Sequence, residues 1–219
     1  MNRTTLSVGA AALVCYAIYR YTKRRDEQLE KARAGGADQA KSRPKLVVVF
    51  SGKRKSGKDY VTDRLIEQVQ ALAGAGVCEV GRLSGPLKKA YADENGLDYK
   101  ELLSDGPYKE KYRADMIVWG ERKRNEDPGY FARLVVDKCA APVLIISDAR
   151  RPTDLAFFKD GVASYGWRCL TVRVAASDAA RSARQWKFTP KVDDVQSECG
   201  LDGLSWHCVF QNDGVAAEA

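Results

Sequence analysis

The residues best suited to do chemistry lie together at positions 52–59. Gly52 and Gly57 enclose four residues, and Lys58 follows directly. In this spacing successive backbone N–H groups wrap a phosphate, and the lysine reaches the β- and γ-oxygens of a nucleoside triphosphate. The pattern predicts a phosphate loop over residues 52–59. Its predicted nucleotide-binding residues are Lys53, Arg54, Lys55, Ser56, Gly57, Lys58 and Asp59.

Asp59 occupies the position at which such loops usually have Ser or Thr, whose hydroxyl binds Mg²⁺. A carboxylate beside a triphosphate is repelled unless a cation lies between them. We therefore expect Asp59 to bind Mg²⁺ directly or through water. The alternative is an acid that only complements the positive end of the next helix.

The elements around the loop fit this interpretation. Residues 47–50 are apolar and mostly β-branched, which is typical of a strand buried on both faces of a parallel sheet. After the loop, apolar residues recur at spacings of four, four and three, which predicts an amphipathic helix whose positive N-terminus faces the phosphates. These apolar residues are Val61, Leu65, Val69 and Leu72.

A second cluster of charged residues follows a predicted strand at 143–146. Asp148 there resembles the second metal-organising acid of phosphate-loop enzymes, because ligands of open parallel sheets lie at the carboxyl ends of the strands. The guanidinium groups of Arg150 and Arg151 suit paired oxygens of an anionic acceptor. A surface Asp-Arg loop is the alternative.

Strands and helices alternate along the rest of the chain. Further strands are predicted at 77–83, 169–174 and 206–211, with helices at 84–95, from Pro107, and at 177–184. The helix at 177–184 carries Arg181 and Arg184, and together with the segment 185–190 after it this helix is predicted to form a lid that closes over the γ-phosphate. The whole pattern predicts an α/β fold with a central parallel sheet.

The charge distribution argues against a nucleic-acid-binding protein, and the cysteine spacing argues against a zinc-binding protein. Residues 1–45 hold 10 Lys and Arg against 4 Asp and Glu, and the remainder holds 26 against 25. Because the remainder is nearly neutral, we expect no nucleic-acid partner. The six cysteines have no metal-binding spacing and are expected to be buried thiols in a reducing compartment.

The first 44 residues form a separate region before a predicted phosphate-loop domain at 45–219. Residues 4–19 are uncharged and are followed by a basic cluster, so a signal anchor at about 4–21 would leave the rest of the chain in the cytosol. A mitochondrial-type targeting helix and an unstructured start remain open alternatives. Residues 26–44 are predicted to be a charged linker.

The chain has one histidine, His207, and no predicted site for a histidine base. An alcohol acceptor usually needs a general base, whereas a phosphate acceptor already carries an ionised nucleophilic oxygen. The residues therefore favour Mg-dependent transfer of a phosphoryl group to a phosphate monoester.

Five motifs resemble animal-type phosphomevalonate kinases. They are Phe50-Ser-Gly-Lys-Arg-Lys-Ser-Gly-Lys-Asp59, Arg82-Leu-Ser-Gly-Pro-Leu-Lys88, Trp119-Gly-Glu121, Ser147-Asp-Ala-Arg-Arg151 and Ser197-Glu-Cys-Gly-Leu-Asp202. The resemblance covers about residues 45–214. It implies a three-layer fold like that of nucleoside monophosphate kinases, with ATP as co-substrate and 5-phosphomevalonate as acceptor. The product would be 5-diphosphomevalonate, which is used in isoprenoid and sterol (cholesterol) synthesis.

The resemblance also implies roles for individual residues. Lys58, Asp59, Arg150 and Arg151 would be catalytic, and Arg184 would contact the nucleotide. Asp213 stands where the family often has a nucleotide-contacting His. The substrate-binding residues would be Asn212, Lys88, Lys109, Arg124, Arg150, Arg151, Arg173 and Arg181.

The chain ends at Ala219 without the charged amphipathic helix that usually closes the family's C-terminus, so we expect a truncated sequence with weaker nucleotide binding. A monomer is expected. The alternatives are a (deoxy)nucleoside monophosphate kinase and a membrane-anchored nucleotide-binding protein without catalysis.

Overall fold

The computed structural model describes residues 44–104 and 106–214. Within these residues five strands form one parallel sheet in the order β2–β3–β1–β4–β5. The central position of β1 brings the residues that follow it to the middle of the sheet's carboxyl edge. The strands are β1 (Leu46–Gly52), β2 (Cys78–Gly81), β3 (Val143–Ile146), β4 (Arg168–Ala175) and β5 (Cys208–Gln211).

Helices cover both faces of the sheet, and several helices also pack with one another away from it. They are α1 (Lys58–Ala73), α2 (Ser84–Asn95), α3 (Tyr99–Leu103), α4 (Pro107–Glu126), α5 (Tyr130–Val136), α6 (Pro152–Tyr165), α7 (Asp178–Ala183) and α8 (Gln196–Cys199).

The two faces of β1 belong to different cores because side chains alternate along a strand. Val48 and Phe50 pack with the buried face of α1, whereas Val47 and Val49 pack with residues of α5 and α6. All five residues from Leu46 to Phe50 are buried. This arrangement confirms the predicted three-layer α/β fold with a central parallel sheet.

A third core lies between α2, α3, α4 and α5, away from the sheet. It includes Tyr91, Leu102, Met116, Trp119 and Phe131. The aromatic rings of Tyr91 and Trp119 meet edge to face with their centroids 5.6 Å apart. These contacts hold α4 beside α2.

The predicted apolar face of α1 is wrong at its last residue. Leu72 is 44% exposed, whereas Ala73 packs against the core. The buried residues of α1 follow a spacing of four, which leads from Val61 through Leu65 and Val69 to Ala73. Two strands are also shorter than predicted, since β2 ends at Gly81 and β5 begins at Cys208.

No helix within residues 44–104 and 106–214 has the length and apolar character needed to cross a bilayer. The predicted anchor at about 4–21 and the linker at 26–44 fall outside the described residues, apart from residue 44, and so does the end of the predicted domain at 219. The division at residue 44/45 therefore stays a prediction.

Candidate active site

The phosphate loop follows β1 directly and depends on its glycines. A Cβ on Gly52 would lie 2.5 Å from Ser56 Oγ and 2.8 Å from the carbonyl oxygen of Val174, so only glycine fits there. Gly57 has a φ of 78°, in the left-handed region that favours glycine. The loop can therefore close tightly enough to direct its backbone N–H groups towards one point.

Two side chains from distant parts of the chain hold the loop from behind. Asn212, just after β5, donates from Nδ2 to the carbonyl oxygen of Ser56 at 2.8 Å. Arg184, after α7, donates to the carbonyl oxygens of Asn212 at 2.7 Å and Lys55 at 3.2 Å. The bonds to Ser56 and Lys55 engage carbonyl oxygens of the loop, which would otherwise repel a phosphate.

Lys58 and Asp59 begin α1 at the open side of the loop. The ammonium group of Lys58 lies 2.6 Å from a carboxylate oxygen of Asp59. The Lys58 side chain is 10% exposed and that of Asp59 is 70% exposed. The carboxylate is thus free to approach solvent and a cation, while the lysine is held close to the loop.

An acidic segment, residues 193–202, lies across the outer side of the loop. Asp193 receives a hydrogen bond from Arg54 Nη1 at 2.9 Å, and Glu198 receives one from the Arg54 backbone N–H, also at 2.9 Å. Asp202 lies 2.6 Å from the ammonium group of Lys53. Three carboxylates therefore contact two adjacent residues of the phosphate loop.

The predicted lid packs against this same segment. The guanidinium of Arg181 lies 3.7 Å from the ring centre of Trp186, and its Nε donates to the carbonyl oxygen of Arg54 at 2.9 Å. Trp186 Nε1 donates to Asp193 at 3.0 Å. In this structure the first part of the predicted lid thus lies beside the loop and is hydrogen-bonded to it.

A cleft of about 150 Å³ lies between α2, α4 and the β3–α6 turn. Arg124, Arg150 and Arg151 line it together, opposite Leu87 and Met116. Burial lowers the pKa of Arg124 and Arg151 below the ordinary guanidinium value, although both remain cationic at neutral pH. Three partly desolvated guanidinium groups in so small a cleft are suited to bind an anion.

The two adjacent arginines are held by their backbone and then diverge. Both backbone N–H groups donate to Asp154 at 3.0 Å. The side chain of Arg150 then pairs with Glu198 of the acidic segment, and that of Arg151 pairs with Glu121 of α4. Arg150 therefore lies at the junction of the loop and the cleft, and Arg151 within the cleft.

Asp148, for which the strand-end position predicted a metal-organising role, bonds to the backbone in this structure, and the metal role stays a prediction. Its carboxylate accepts hydrogen bonds from the backbone N–H groups of Leu83 at 2.6 Å and Ser84 at 3.1 Å. Both oxygens are engaged in fixing the start of α2 because the β2–α2 turn lies beside the end of β3. Asp148 thus shapes one wall of the cleft.

Comparison with known proteins places this geometry in a family. The model of the phosphomevalonate kinase family matches residues 50–164, which include the loop and the three cleft arginines. The chain belongs to the animal-type phosphomevalonate kinase family. The phosphomevalonate kinase of Drosophila melanogaster is 44% identical over 174 residues, covering 76% of this chain and 88% of that protein.

The family resemblance also predicted substrate-binding roles for five other residues. The structure places them in three locations. Arg173, Arg181 and Asn212 lie beside the phosphate loop; Arg173 bonds to Ser51 Oγ at 2.9 Å and to Asp202 at 2.8 Å. Lys88 on α2 and Lys109 on α4 belong to the helices that border the cleft, but the described cleft lining includes neither. Their substrate-binding roles stay predictions.

Asp213, at the position where phosphomevalonate kinases often have His, accepts one hydrogen bond from the backbone and one from a side chain. Its carboxylate accepts from the Ser177 N–H at 2.6 Å and from Gln211 Nε2 at 2.7 Å. The hydrogen bond from Ser177 is the main reason why the pKa of Asp213 is lowered. The carboxylate therefore ties β5 to the start of α7, and its contact with a nucleotide stays a prediction.

His207 and the described cysteines lie outside this chemistry. His207 Nδ1 contacts Thr171 Oγ1 at 2.8 Å, between β4 and β5. The five described cysteines are free thiols, but the predicted burial is right only for Cys78 and Cys139, since the other three are partly exposed. Loss of solvation raises the pKa of Cys139 and of Cys169 to about 11. At neutral pH these two thiols are protonated and therefore weak nucleophiles.

The acids that pair with the arginines were not assigned roles from the sequence. Glu121, Asp193, Glu198 and Asp202 each contact a residue that the family motifs mark as functional. The near neutrality of residues 46–219 was the available signal, because many buried cations in a neutral domain require acidic partners. Which acid meets which arginine depends on contacts far apart in the chain.

Proposed function

We propose that this protein transfers the γ-phosphate of ATP to (R)-5-phosphomevalonate, giving (R)-5-diphosphomevalonate and ADP. The observation that carries this proposal is the convergence of Arg124, Arg150 and Arg151 in one cleft, which Glu198 connects to the phosphate loop by bonding to both Arg150 and the backbone N–H of Arg54. Membership of the phosphomevalonate kinase family supports the choice of acceptor. The reaction belongs to isoprenoid and sterol (cholesterol) synthesis.

The acceptor carries two anionic groups, a phosphate and a carboxylate, and the cleft offers more than one guanidinium to bind them. Arg151 and Arg124 lie deepest and share Glu121, whose Oε1 is 3.9 Å from Arg124 Nη1. A bidentate guanidinium orients a phosphate or carboxylate as well as neutralising it. These two arginines would hold the acceptor so that its phosphate oxygen faces the loop.

The transfer itself requires alignment and charge neutralisation more than proton removal. Backbone N–H groups of the loop would bind the β-phosphate, and Lys58 would stay bound to the γ-phosphate as it is transferred. Arg150, at the junction, would bind the phosphoryl group as it passes to the acceptor. The imidazole of His207 contacts Thr171 of β4, in keeping with a reaction that needs no histidine base.

Asp59 is proposed to hold Mg²⁺ together with the phosphates of ATP. Within residues 44–104 and 106–214 no group of three or more His, Cys, Asp or Glu side chains could hold a metal by itself. Mg²⁺ is commonly bound by one or two carboxylates plus substrate phosphates, and the exposed carboxylate of Asp59 fits that pattern. The ion would neutralise charge on the β- and γ-phosphates.

The metal role can be tested by binding as well as by turnover. In Asp59→Asn we expect Mg²⁺ to improve ATP affinity much less than in the unmodified protein, as measured by calorimetry with and without Mg²⁺. An unchanged Mg²⁺ dependence would leave Asp59 as an acid that only complements the helix N-terminus.

The acceptor is tested by measuring ADP release with the full chain. We expect turnover with 5-phosphomevalonate and none above background with a panel of nucleoside and deoxynucleoside monophosphates. Preference for a nucleotide acceptor would overturn the proposal in favour of a nucleoside monophosphate kinase. ATP binding without turnover on any acceptor would indicate a nucleotide-binding protein without catalysis.

The proposal includes a cytosolic site of action. Free thiols at all five described cysteines support a reducing compartment, in which ATP is also abundant. The predicted monomeric state can be measured by light scattering on the full chain.

A further inference from the structure

One carboxylate contacts both halves of the site. Glu198, in α8, accepts a hydrogen bond from the backbone N–H of Arg54 at 2.9 Å through Oε2. Its other oxygen, Oε1, pairs with the guanidinium of Arg150. The Glu198 side chain is only 5% exposed. Thus a single buried group connects the phosphate loop to the arginine at the mouth of the acceptor cleft.

Burying a carboxylate is costly unless charged or hydrogen-bonded partners compensate. Glu198 has one partner in the loop and one in the β3–α6 turn, so it is fully compensated only when both are in place. A shift of either partner leaves the buried charge less well paired. The position of Arg150 is therefore energetically linked to the conformation of the loop.

Arg150 is held on one side and open on the other. Asp154 fixes its backbone, Glu198 takes one edge of its guanidinium, and the side chain is still 41% exposed. A guanidinium has five N–H donors, so donors remain for a phosphate. The held edge determines the direction in which the remaining donors point.

The neighbouring pair of Arg151 and Glu121 has a different construction. Glu121 is 41% exposed, and its contacts among the described residues are with Arg124 and Arg151 on the acceptor side. Among the described residues, Glu121 makes no hydrogen bond to the phosphate loop. Glu121 therefore provides a matched comparison, an acid that pairs with a cleft arginine without connecting it to the loop.

We infer that Glu198 is a positioning residue that aims Arg150 at the transferring phosphate and makes this aim depend on the nucleotide-binding conformation of the loop. The inference rests on the proposed phosphoryl transfer. Glu198 itself would contact neither ATP nor the acceptor. It would act through Arg150, by holding donors ready for the γ-phosphate.

The test compares Glu198→Gln with Glu121→Gln, each made in the unmodified chain and in Arg150→Ala. Glutamine keeps the size of the side chain and an oxygen for the Arg54 N–H, but it loses the charge that holds Arg150. We expect Glu198→Gln to lower kcat by about 30-fold in the unmodified chain and by less than about 2-fold in Arg150→Ala. Glu121→Gln should have similar effects in both backgrounds and act mainly on the KM of the acceptor.

A second measurement needs no acceptor. The preference for ATP is the ratio of the Kd for ADP to the Kd for ATP. If Arg150 is aimed at the γ-phosphate, this ratio should fall by about 10-fold in Glu198→Gln. It should not fall further in the double variant that also carries Arg150→Ala. Absence of turnover with 5-phosphomevalonate would count against the proposed function, whereas this nucleotide ratio would still decide the role of Glu198.

Two controls distinguish a positioning role of Glu198 from a role in folding. They are the melting temperatures of the variants and the shorter acid in Glu198→Asp. Glu198→Asp keeps the charge but shortens the reach, and we expect it to recover part of the lost ATP preference. Equal losses from Glu198→Gln in the presence and absence of Arg150 would overturn the inference. The same conclusion would follow if Glu198→Asp and Glu198→Gln lost activity only in proportion to melting temperature.

Discussion

The phosphate loop and the acceptor cleft both face anions, but they are built in different ways. The loop uses eight consecutive residues, 52–59, and its binding groups are mainly backbone N–H groups whose directions follow from glycine geometry. The cleft uses the side chains of Arg124 from α4 and of Arg150 and Arg151 from the β3–α6 turn. The first depends on local conformation and the second on the packing of separate elements.

The balance of charge differs in the same way. Each cleft arginine has a carboxylate partner, either Glu121 or Glu198, that holds it in place before substrate binds. The phosphate-binding groups of the loop are mainly backbone amides, which have no side-chain entropy to lose when they bind. We therefore expect changes in the loop to affect nucleotide binding and transfer, and changes in the cleft to affect acceptor use.

The largest effect should come from Lys58→Met. This change keeps the aliphatic stem but removes the cation that would follow the γ-phosphate, so kcat should fall by about 10³-fold. Melting temperature should change little. The matched control is Lys89→Met, at an exposed lysine of α2 paired with Asp93. Comparable losses in both variants, measured as ADP release, would contradict the loop assignment.

Arg151→Met should distinguish the function of the acceptor cleft from that of the phosphate loop most clearly. Loss of a partly buried guanidinium from the cleft should lower kcat/KM for the acceptor by about 10²-fold while the Kd for ATP stays within about 2-fold. Arg122→Met, at an exposed arginine paired with Glu94, is the control. Weakened ATP binding in Arg151→Met would show that the cleft and the loop are not separate.

Gly57→Ala tests the local geometry of the loop. The new methyl group would enter a residue with positive φ and would clash with Asn212 Nδ2, so ATP affinity should fall by about 10-fold. Gly96→Ala is the control, because Gly96 also has positive φ, 64°, but a Cβ there meets nothing within 4 Å. Calorimetry should show a loss of affinity only at Gly57, whereas both variants should lose some stability.

The smallest effect is expected for Asp202→Asn. Asp202 is 41% exposed, so water can partly replace its charge beside Lys53 and Arg173, and Arg173 keeps its hydrogen bond to Ser51. The Kd for ATP should change by less than about 3-fold. A larger change would mean that side-chain charges at the acidic segment, and not only backbone amides, determine nucleotide binding.

Most of the fold followed from local patterns. The apolar runs of β1 and β3, the spacing of Gly52, Gly57 and Lys58, and Pro107 at the start of α4 each marked an element that the structure confirms. The errors arose where two local interpretations were equally good. Leu72 and Ala73 both continue the apolar face of α1, and only packing against the sheet selects Ala73.

Candidate site residues were harder to place. The charge of Arg150 and Arg151 and their position after a strand predicted an anion-binding location, and the structure brings them into one cleft with Arg124, although acceptor binding there stays a prediction. Asn212 was predicted to bind the substrate; in this structure its amide bonds to Ser56 of the phosphate loop, and its role with the substrate stays a prediction. A position after a strand indicates the correct edge of the sheet but not which neighbour the side chain meets.

The sequence by itself determined the phosphate loop, because glycine conformation, strand burial and the helix N-terminus are properties of consecutive residues. Only the tertiary structure decided the partners of the arginines. Glu198 reaches Arg54 and Arg150, and Asp148 reaches Leu83, across long separations in the chain. A carboxylate carries the same charge wherever it stands in the sequence, so its role depends on which cations and amides the folded elements bring within hydrogen-bonding distance.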